Sequence, residues 1–205
     1  MIKPVNENLD QVTISDVENH KLISIDELNK DLINLIDFDA DENTNTFYGN
    51  PFFYHFQFKN LLNCEREGGQ TIYEIYNDKA EWDKLIDSAR KRNRGGRTAA
   101  GNVFEYFRIN LGSIVMFKST TAKYLYKKYN AKSVLDPTAG WGGRMLGAWA
   151  LGIDYTGIDT NTNMKPAYDD MVEYLTSYNE FNNPLFEQEQ TSQLDMIWSS
   201  ALDVD

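Results

Sequence analysis

The chain has 205 residues, 41% hydrophobic and 13% aromatic, enough apolar side chain for a packed core, with a formal net charge of −11. Its single cysteine, Cys64, excludes a disulfide framework and a cysteine-rich zinc site, and its two histidines, His20 and His55, lack ligand spacing, so no metal centre is expected. No apolar run has membrane-spanning length and "MIKPVNENLD" has no apolar signal core, which reads as a cytoplasmic chain without a membrane partner.

Charge is unevenly placed. Residues 1–45 carry 3 basic and 11 acidic side chains, and residues 133–205 carry 2 and 12. Between them, residues 84–132 carry 12 basic and 2 acidic ones, a net +10 band inside an acidic protein. The acidic bulk argues against indiscriminate nucleic-acid binding, while the band can form one phosphate-binding face.

In chain order, residues 1–23 are polar and aperiodic and read as a loose arm. "SIDELNKDLINLID" reads as a helix capped by Ser24, with Glu27 closing a capping box and Leu28, Leu32, Ile33 and Ile36 forming its stripe. "DFDADENTNTFYGNP" is a loop. The aromatic run "FFYHFQF" reads as a packing strand, and "TIYEIYN" alternates like a second strand. "DKAEWDKLIDSARKR" reads as a helix starting after Asn77.

The basic band follows. "ARKRNRGGRTAAGNVFEYFR" sets Arg90, Lys91, Arg92, Arg94 and Arg97 close together, then Arg108, with Phe104, Tyr106 and Phe107 among them. Gly95 and Gly96 loosen part of it into a loop. Cations beside aromatics can neutralise phosphates and stack unpaired bases, so Arg92, Arg94, Arg97 and Arg108 are the candidate nucleic-acid contacts. A solvated loop balancing acidic surroundings is the competing reading.

From about residue 112 the pattern changes. A helix through Tyr129, capped by Ser119 or Thr120, should place Ala122, Leu125, Tyr126 and Tyr129 on one face and Lys123, Lys127, Lys128 and Lys132 towards solvent. Then come a strand (133–136), a glycine loop, a helix (142–151), a strand (155–159), a helix (165–178) with Pro166 in its first turn, and a third strand in "MIWSSAL". Strand, helix, strand, helix, strand defines an α/β fold with a parallel sheet, preceded by a mainly helical N-terminal region. The expected division is an extension at 1–111 and a ligand-binding part at 112–205.

In such sheets ligands bind beyond the carboxyl ends of the strands. "SVLDPTAGWGGR" ends the first strand in Asp136 and then places Gly140, Gly142 and Gly143 before a helix N-terminus, where free N–H groups lie. Asp159 ends the second strand 19 residues after Gly140, where a carboxylate can accept both hydroxyls of a ribose. A pocket for an adenosine-containing cofactor results. The dinucleotide pattern G-x-G-x-x-G is not completed, because Met145 stands where the third glycine belongs. Asp136 would also oppose a pyrophosphate, and suits a cationic ligand better.

"VLDPTAGWGG" resembles the first motif of class I S-adenosylmethionine-dependent methyltransferases, and "YTGIDTN" their second. The Asp-Pro start, with "FKSTTAKYLYKKY" upstream, is similar to the arrangement in DNA amino-methyltransferases, which modify the exocyclic amine of adenine or cytosine. The resemblance implies a Rossmann-like sheet and S-adenosylmethionine as cofactor. It implies that Phe117, Ser119 and Thr120 embrace the methionine end, that Asp136, Gly140 and Gly142 hold the methionine moiety, that Pro137 belongs to the cofactor site, and that Asp159 holds the ribose. Ser200, in "WSSALDVD", would lie near the adenine ring.

Those enzymes present the acceptor amine on a [D/N/S]-P-P-[Y/F/W] motif. This sequence has five prolines, Pro4, Pro51, Pro137, Pro166 and Pro184, and no Pro-Pro pair, so no catalytic residue is assigned. The family's sheet has a further strand beside the first, which leaves "SVLD" an apolar edge. An exposed apolar edge is a pairing liability, so a complementing chain or a second copy is expected to cover 133–136. The readings in play are an incomplete DNA amino-methyltransferase, an inert methyltransferase-like regulatory subunit, an RNA methyltransferase of the same fold, and an acidic DNA mimic that the basic band counts against.

Overall fold

The computed structural model describes residues 9–41, 45–65, 68–92, 97–110, 115–182 and 192–204. The chain divides into two compact units that interleave in sequence. One comprises residues 1–22 and 58–115, the other residues 23–57 and 116–205.

Within the first unit, the expected loose arm has regular structure in its described residues, 9–22. A short 3-10 turn at residues 9–11 leads to helix α1 (Ile14–Asn19), where Thr13 and Asp16 form a capping box. Leu9, Val12 and Val17 are buried, so a few well-spaced apolar residues suffice to anchor a polar segment. Helix α3 (Asn50–Leu62) crosses the sequence boundary, and its residues 58–62 belong here. Helices α4 (Ile72–Asn77), α5 (Lys79–Lys91) and α6 (Ala99–Asn110) complete this unit's regular structure among the described residues. Phe58, Leu61, Ile75, Leu85, Val103 and Phe107 are among its core side chains.

Both strands expected before residue 80 are helices instead. In "TIYEIYN" the alternation is overruled at its first residue. Thr71 accepts from the Glu74 N–H while Glu74 accepts from the Thr71 N–H, a reciprocal cap that fixes a helical turn. In "FFYHFQF" the buried positions are Phe52, Phe53, Gln57, Phe58, Leu61 and Leu62, a helical spacing hidden by aromatics on every side. The Asp31 carboxylate accepts from the N–H groups of Gly49 and Phe52, so α3 starts under a cap supplied from 18 residues upstream. Burial pushes the Asp31 carboxyl up, against the two N–H donors that pull it down. The α5 helix starts after Asn77 as expected, with Asp78 accepting from Ala80 and Glu81.

The second unit is α/β. Strands β1 (Ser133–Asp136), β2 (Asp154–Asp159) and β3 (Leu194–Trp198) form a parallel sheet in the order β1-β2-β3. Helix α8 (Gly143–Trp149) follows β1 and helix α9 (Lys165–Asn182) follows β2, with Pro166 in the first turn of α9. Among the described residues β1 is an edge strand, and Leu135 on it is 70% exposed.

Helix α2 (Ile25–Asp37) and the start of α3 join this unit's core with Met145, Leu146, Tyr155, Tyr168 and Met171. Residues 23–57 therefore pack with the sheet. The Ser24–Glu27 capping box opens α2 as expected. Its stripe is rotated: Leu28, Leu32 and Leu35 are buried, whereas Ile33 is exposed.

Helix α7 (Ser119–Lys128) has Lys118 at its N-cap position with no side-chain cap, so neither Ser119 nor Thr120 caps it. Both lie inside the first turn and are fully buried. Tyr129, expected on the packed face, is exposed. Lys123, expected in solvent, is buried and donates to the Leu35, Ile36 and Phe38 carbonyls at the end of α2. A helix terminus leaves carbonyls without partners, and one ammonium serves three of them here.

Candidate cofactor site

Parallel register brings the two motif carboxylates to the same end of the sheet. Asp136 pairs with Gly157 in β2, and Asp159 pairs with Trp198 in β3. Asp136 is buried yet satisfied: its Oδ2 accepts from Arg144 Nε at 2.6 Å and from the Tyr155 hydroxyl at 2.7 Å, and its Oδ1 accepts from the Thr138 N–H at 3.3 Å. The Arg144 guanidinium also donates to the Thr138 carbonyl, which ties the start of α8 to the loop before it. Burial would lower the Arg144 pKa, but the hydrogen bond and charge of Asp136 outweigh it and hold the group further up. Burial, then the charges of Tyr168 and Asp136, pushes the Tyr155 phenol far up, so Tyr155 acts as a neutral donor. Tyr126 is pushed up to about 12 by burial and by the Asp136 charge.

Asp159 organises the other side of the loop. Its Oδ2 accepts from the Gly140 N–H at 2.8 Å and its Oδ1 from the Asn161 N–H at 2.9 Å. The Tyr168 hydroxyl donates to the Gly140 carbonyl at 2.8 Å, so the Gly140 peptide is held at both ends.

Gly140 and Gly142 both have left-handed backbone, φ 58° and 92°. A Cβ on Gly142 would lie 2.7 Å from Met171 Cε. A Cβ on Gly143 would lie 2.0 Å from the Phe117 carbonyl oxygen, so the upstream segment passes directly against the first residue of α8. Phe117 itself is 39% exposed, and the Arg144 guanidinium lies 5.2 Å from its ring centroid.

The structure thus gathers Phe117, Asp136, Gly140, Gly142 and Asp159 around one loop. Pro137 is exposed beside them. Ser200 is half-buried beyond β3, where its hydroxyl accepts from the Leu202 N–H in a turn. Ser119 and Thr120 face elsewhere: the Thr120 hydroxyl donates to the Thr46 carbonyl, and Ser119 Oγ would lie 2.8 Å from a Cβ on Gly49.

Three residues that complete the site are absent from the motif reading. Arg144 sits eight residues after Asp136, and its signal was the lone cation at the head of α8. Tyr155 and Tyr168 show no pattern beyond being apolar positions, because hydroxyl reach depends on register.

Among the described residues, the basic band of the first unit is largely compensated. Arg90 pairs with Asp10 and Asp87, while Arg97 and Arg108 both pair with Glu105 at 3.2 Å. Burial would raise the Glu105 carboxyl, but the two guanidinium groups hold it below its ordinary value. Arg92 reaches Asn110 Oδ1 at 3.5 Å, and Arg94 lies outside the described residues. No described helix is long and apolar enough to cross a membrane.

Comparison of the chain with family models, with curated proteins and with solved structures found no match.

Proposed function

We propose that the second unit is the S-adenosylmethionine-binding part of a Rossmann-like amino-methyltransferase acting on nucleic acid, with DNA adenine or cytosine as acceptor. The observation that carries this reading is the loop itself. Two carboxylates end neighbouring parallel strands, and the second holds the N–H of the left-handed Gly140. The donor set fits the group. Asp136 offers negative charge for an ammonium, and Asp159 offers a carboxylate for ribose hydroxyls. Among the described residues, its chain neighbours aside, the atom nearest to where a Gly140 Cβ would stand is the Thr138 carbonyl oxygen at 3.7 Å. Phe117, pressed on Gly143 by its carbonyl, supports the methionine-end role that the resemblance implies. The cofactor, when bound, supplies an electrophilic methyl group on a sulfonium.

In this reading the chain's own residues bind and orient that cofactor. Asp136 and Phe117 face its cationic end, Asp159 its ribose, and Ser200 lies at the adenine side. A complementing chain presents the amine acceptor, and that chain or a second copy covers β1. Arg97 and Arg108 supply the nucleic-acid contact once phosphates displace Glu105, together with Arg92 and Arg94.

One observation favours a second reading, an inert methyltransferase-like regulatory subunit. The Arg144 guanidinium already occupies Asp136, and a ligand ammonium must displace or share it. Isothermal calorimetry with S-adenosylmethionine separates the two. The enzyme reading expects saturable binding that is lost in Asp159→Ala. No heat in the native chain, or unchanged binding in Asp159→Ala, refutes the cofactor assignment.

A further inference from the structure

Helix α7 opens beside a second feature that the glycine loop does not explain. Phe47 is 56% exposed, and the Lys118 ammonium lies 4.1 Å from its ring centroid. The segment carrying Phe47 is pinned on both sides. The Thr46 carbonyl accepts from Thr120, and the Gly49 N–H donates to both Asp31 oxygens. An exposed aromatic on a pinned segment is preorganised rather than loosely collapsed. The Lys118 ammonium donates only weakly, to Asn45 Oδ1 at 3.5 Å, and among the described residues it has no carboxylate partner. The preceding residue, Phe117, makes the same kind of pair with Arg144. Two consecutive residues of one segment therefore each contribute to a half-open aromatic–cation pair, one of them touching the glycine loop. Buried polar atoms without protein partners, Thr46 Oγ1, Asn50 Oδ1 and Ser119 Oγ, belong to the same stretch of chain contacts.

We infer that Phe47 and Lys118 form a docking platform for single-stranded nucleic acid, with an unpaired base stacking on the Phe47 ring and its adjoining phosphate paired to Lys118. In the free chain the Lys118 ammonium rests over the Phe47 ring; an unpaired base taking its place on the ring leaves the ammonium to turn to the adjoining phosphate, which is the chemistry of single-strand binding sites. The platform deepens the methyltransferase reading and rests on it for its role: it would hold the acceptor strand next to the loop that holds the donor. It is distinct from the 90–108 band.

The test is fluorescence anisotropy of the full chain with a labelled single-stranded oligodeoxynucleotide, its RNA counterpart and its duplex. Phe47→Ala, at an exposed position, should keep the native circular dichroism and weaken single-strand binding about five-fold or more. Lys118→Ala should weaken it and reduce the salt slope by about 0.7. Phe47→Trp should retain affinity, with indole emission quenched on binding. The DNA and RNA arms show which strand is taken. Native affinity in Phe47→Ala, unquenched emission in Phe47→Trp, or duplex bound as tightly as single strand overturns the platform; unquenched emission with equal competition by heparin would show polyanion attraction only. Calorimetry with S-adenosylmethionine on the same proteins separates the two claims. Phe47-dependent strand binding without cofactor binding supports the platform and refutes the cofactor site, whereas cofactor binding with Phe47-independent strand binding does the reverse.

Discussion

The glycine loop and the basic band hold their charges in opposite ways. In the loop, Asp136 meets Arg144 eight residues on and Tyr155 nineteen residues on, in a part-buried network with every contact inside one strand–helix–strand unit. In the band, Arg90 meets Asp10 from 80 residues away, and the guanidinium groups of Arg97 and Arg108 share one part-buried glutamate. Local spacing therefore describes the loop well and the band poorly. A run of arginines advertises free positive charge in the sequence, yet three of those described here are already partnered by acids.

That contrast sets the order of the expected effects. Gly143→Ala should be the most damaging change, because its Cβ would stand 2.0 Å from the Phe117 carbonyl and backbone must move. A loss of about 3 kcal/mol or more in urea unfolding is expected, at the upper end of overpacking. Asp136→Ala should follow. It strands Arg144 and the buried Tyr155 hydroxyl, and Arg144 remains 25% exposed, which reduces the loss from the fully buried case to about 2–3 kcal/mol. A change below experimental error would mean that the network is not the anchor described here.

His20 gives a pH test within the first unit. It packs between Phe58 and Phe104, and burial, followed by the charges of Lys21 and Arg97, lowers its pKa to about 4. An unfolded histidine titrates near 6.5. Between those values the unfolded chain binds more protons, so stability rises as pH rises from about 4 to about 6.5 and is lost on acidification through that window. After discounting for its partial exposure, the contribution is about 1–2 kcal/mol. An NMR titration should find the His20 midpoint near 4, and a midpoint near the free value would remove the effect.

Glu105→Gln should change stability least and function most selectively. It frees Arg97 and Arg108, so nucleic-acid affinity should rise and the salt slope steepen by about 1–2. If anisotropy shows neither change, the band is a balanced surface and not a phosphate-binding face.

Much of the second unit was legible because its signals are short-range. β1, β2, α8 and α9 fall close to their expected positions, since an apolar run, a glycine turn and Pro166 each act within a few residues. The site's acids and glycines were legible for the same reason, while Tyr155 and Tyr168 needed the register. The N-terminal half was harder. "FFYHFQF" has no polar face from which to read a period, and the cap that starts its helix comes from Asp31. "TIYEIYN" carried its own helix signal, Thr71 and Glu74, beneath an alternation that suggested a strand. Lys123 reads as a solvent-facing lysine because its partners are 85 to 88 residues upstream.

The Lys123 contact also governs timing on the ribosome. The α2 segment emerges early, but the Leu35, Ile36 and Phe38 carbonyls gain their ammonium only after residue 123 has been made. By then every residue of the first unit, residues 1–22 and 58–115, has been made. Vectorial synthesis thus completes the chain of the first unit before that of the second, and residues 23–57 must wait for the later residues of their own core.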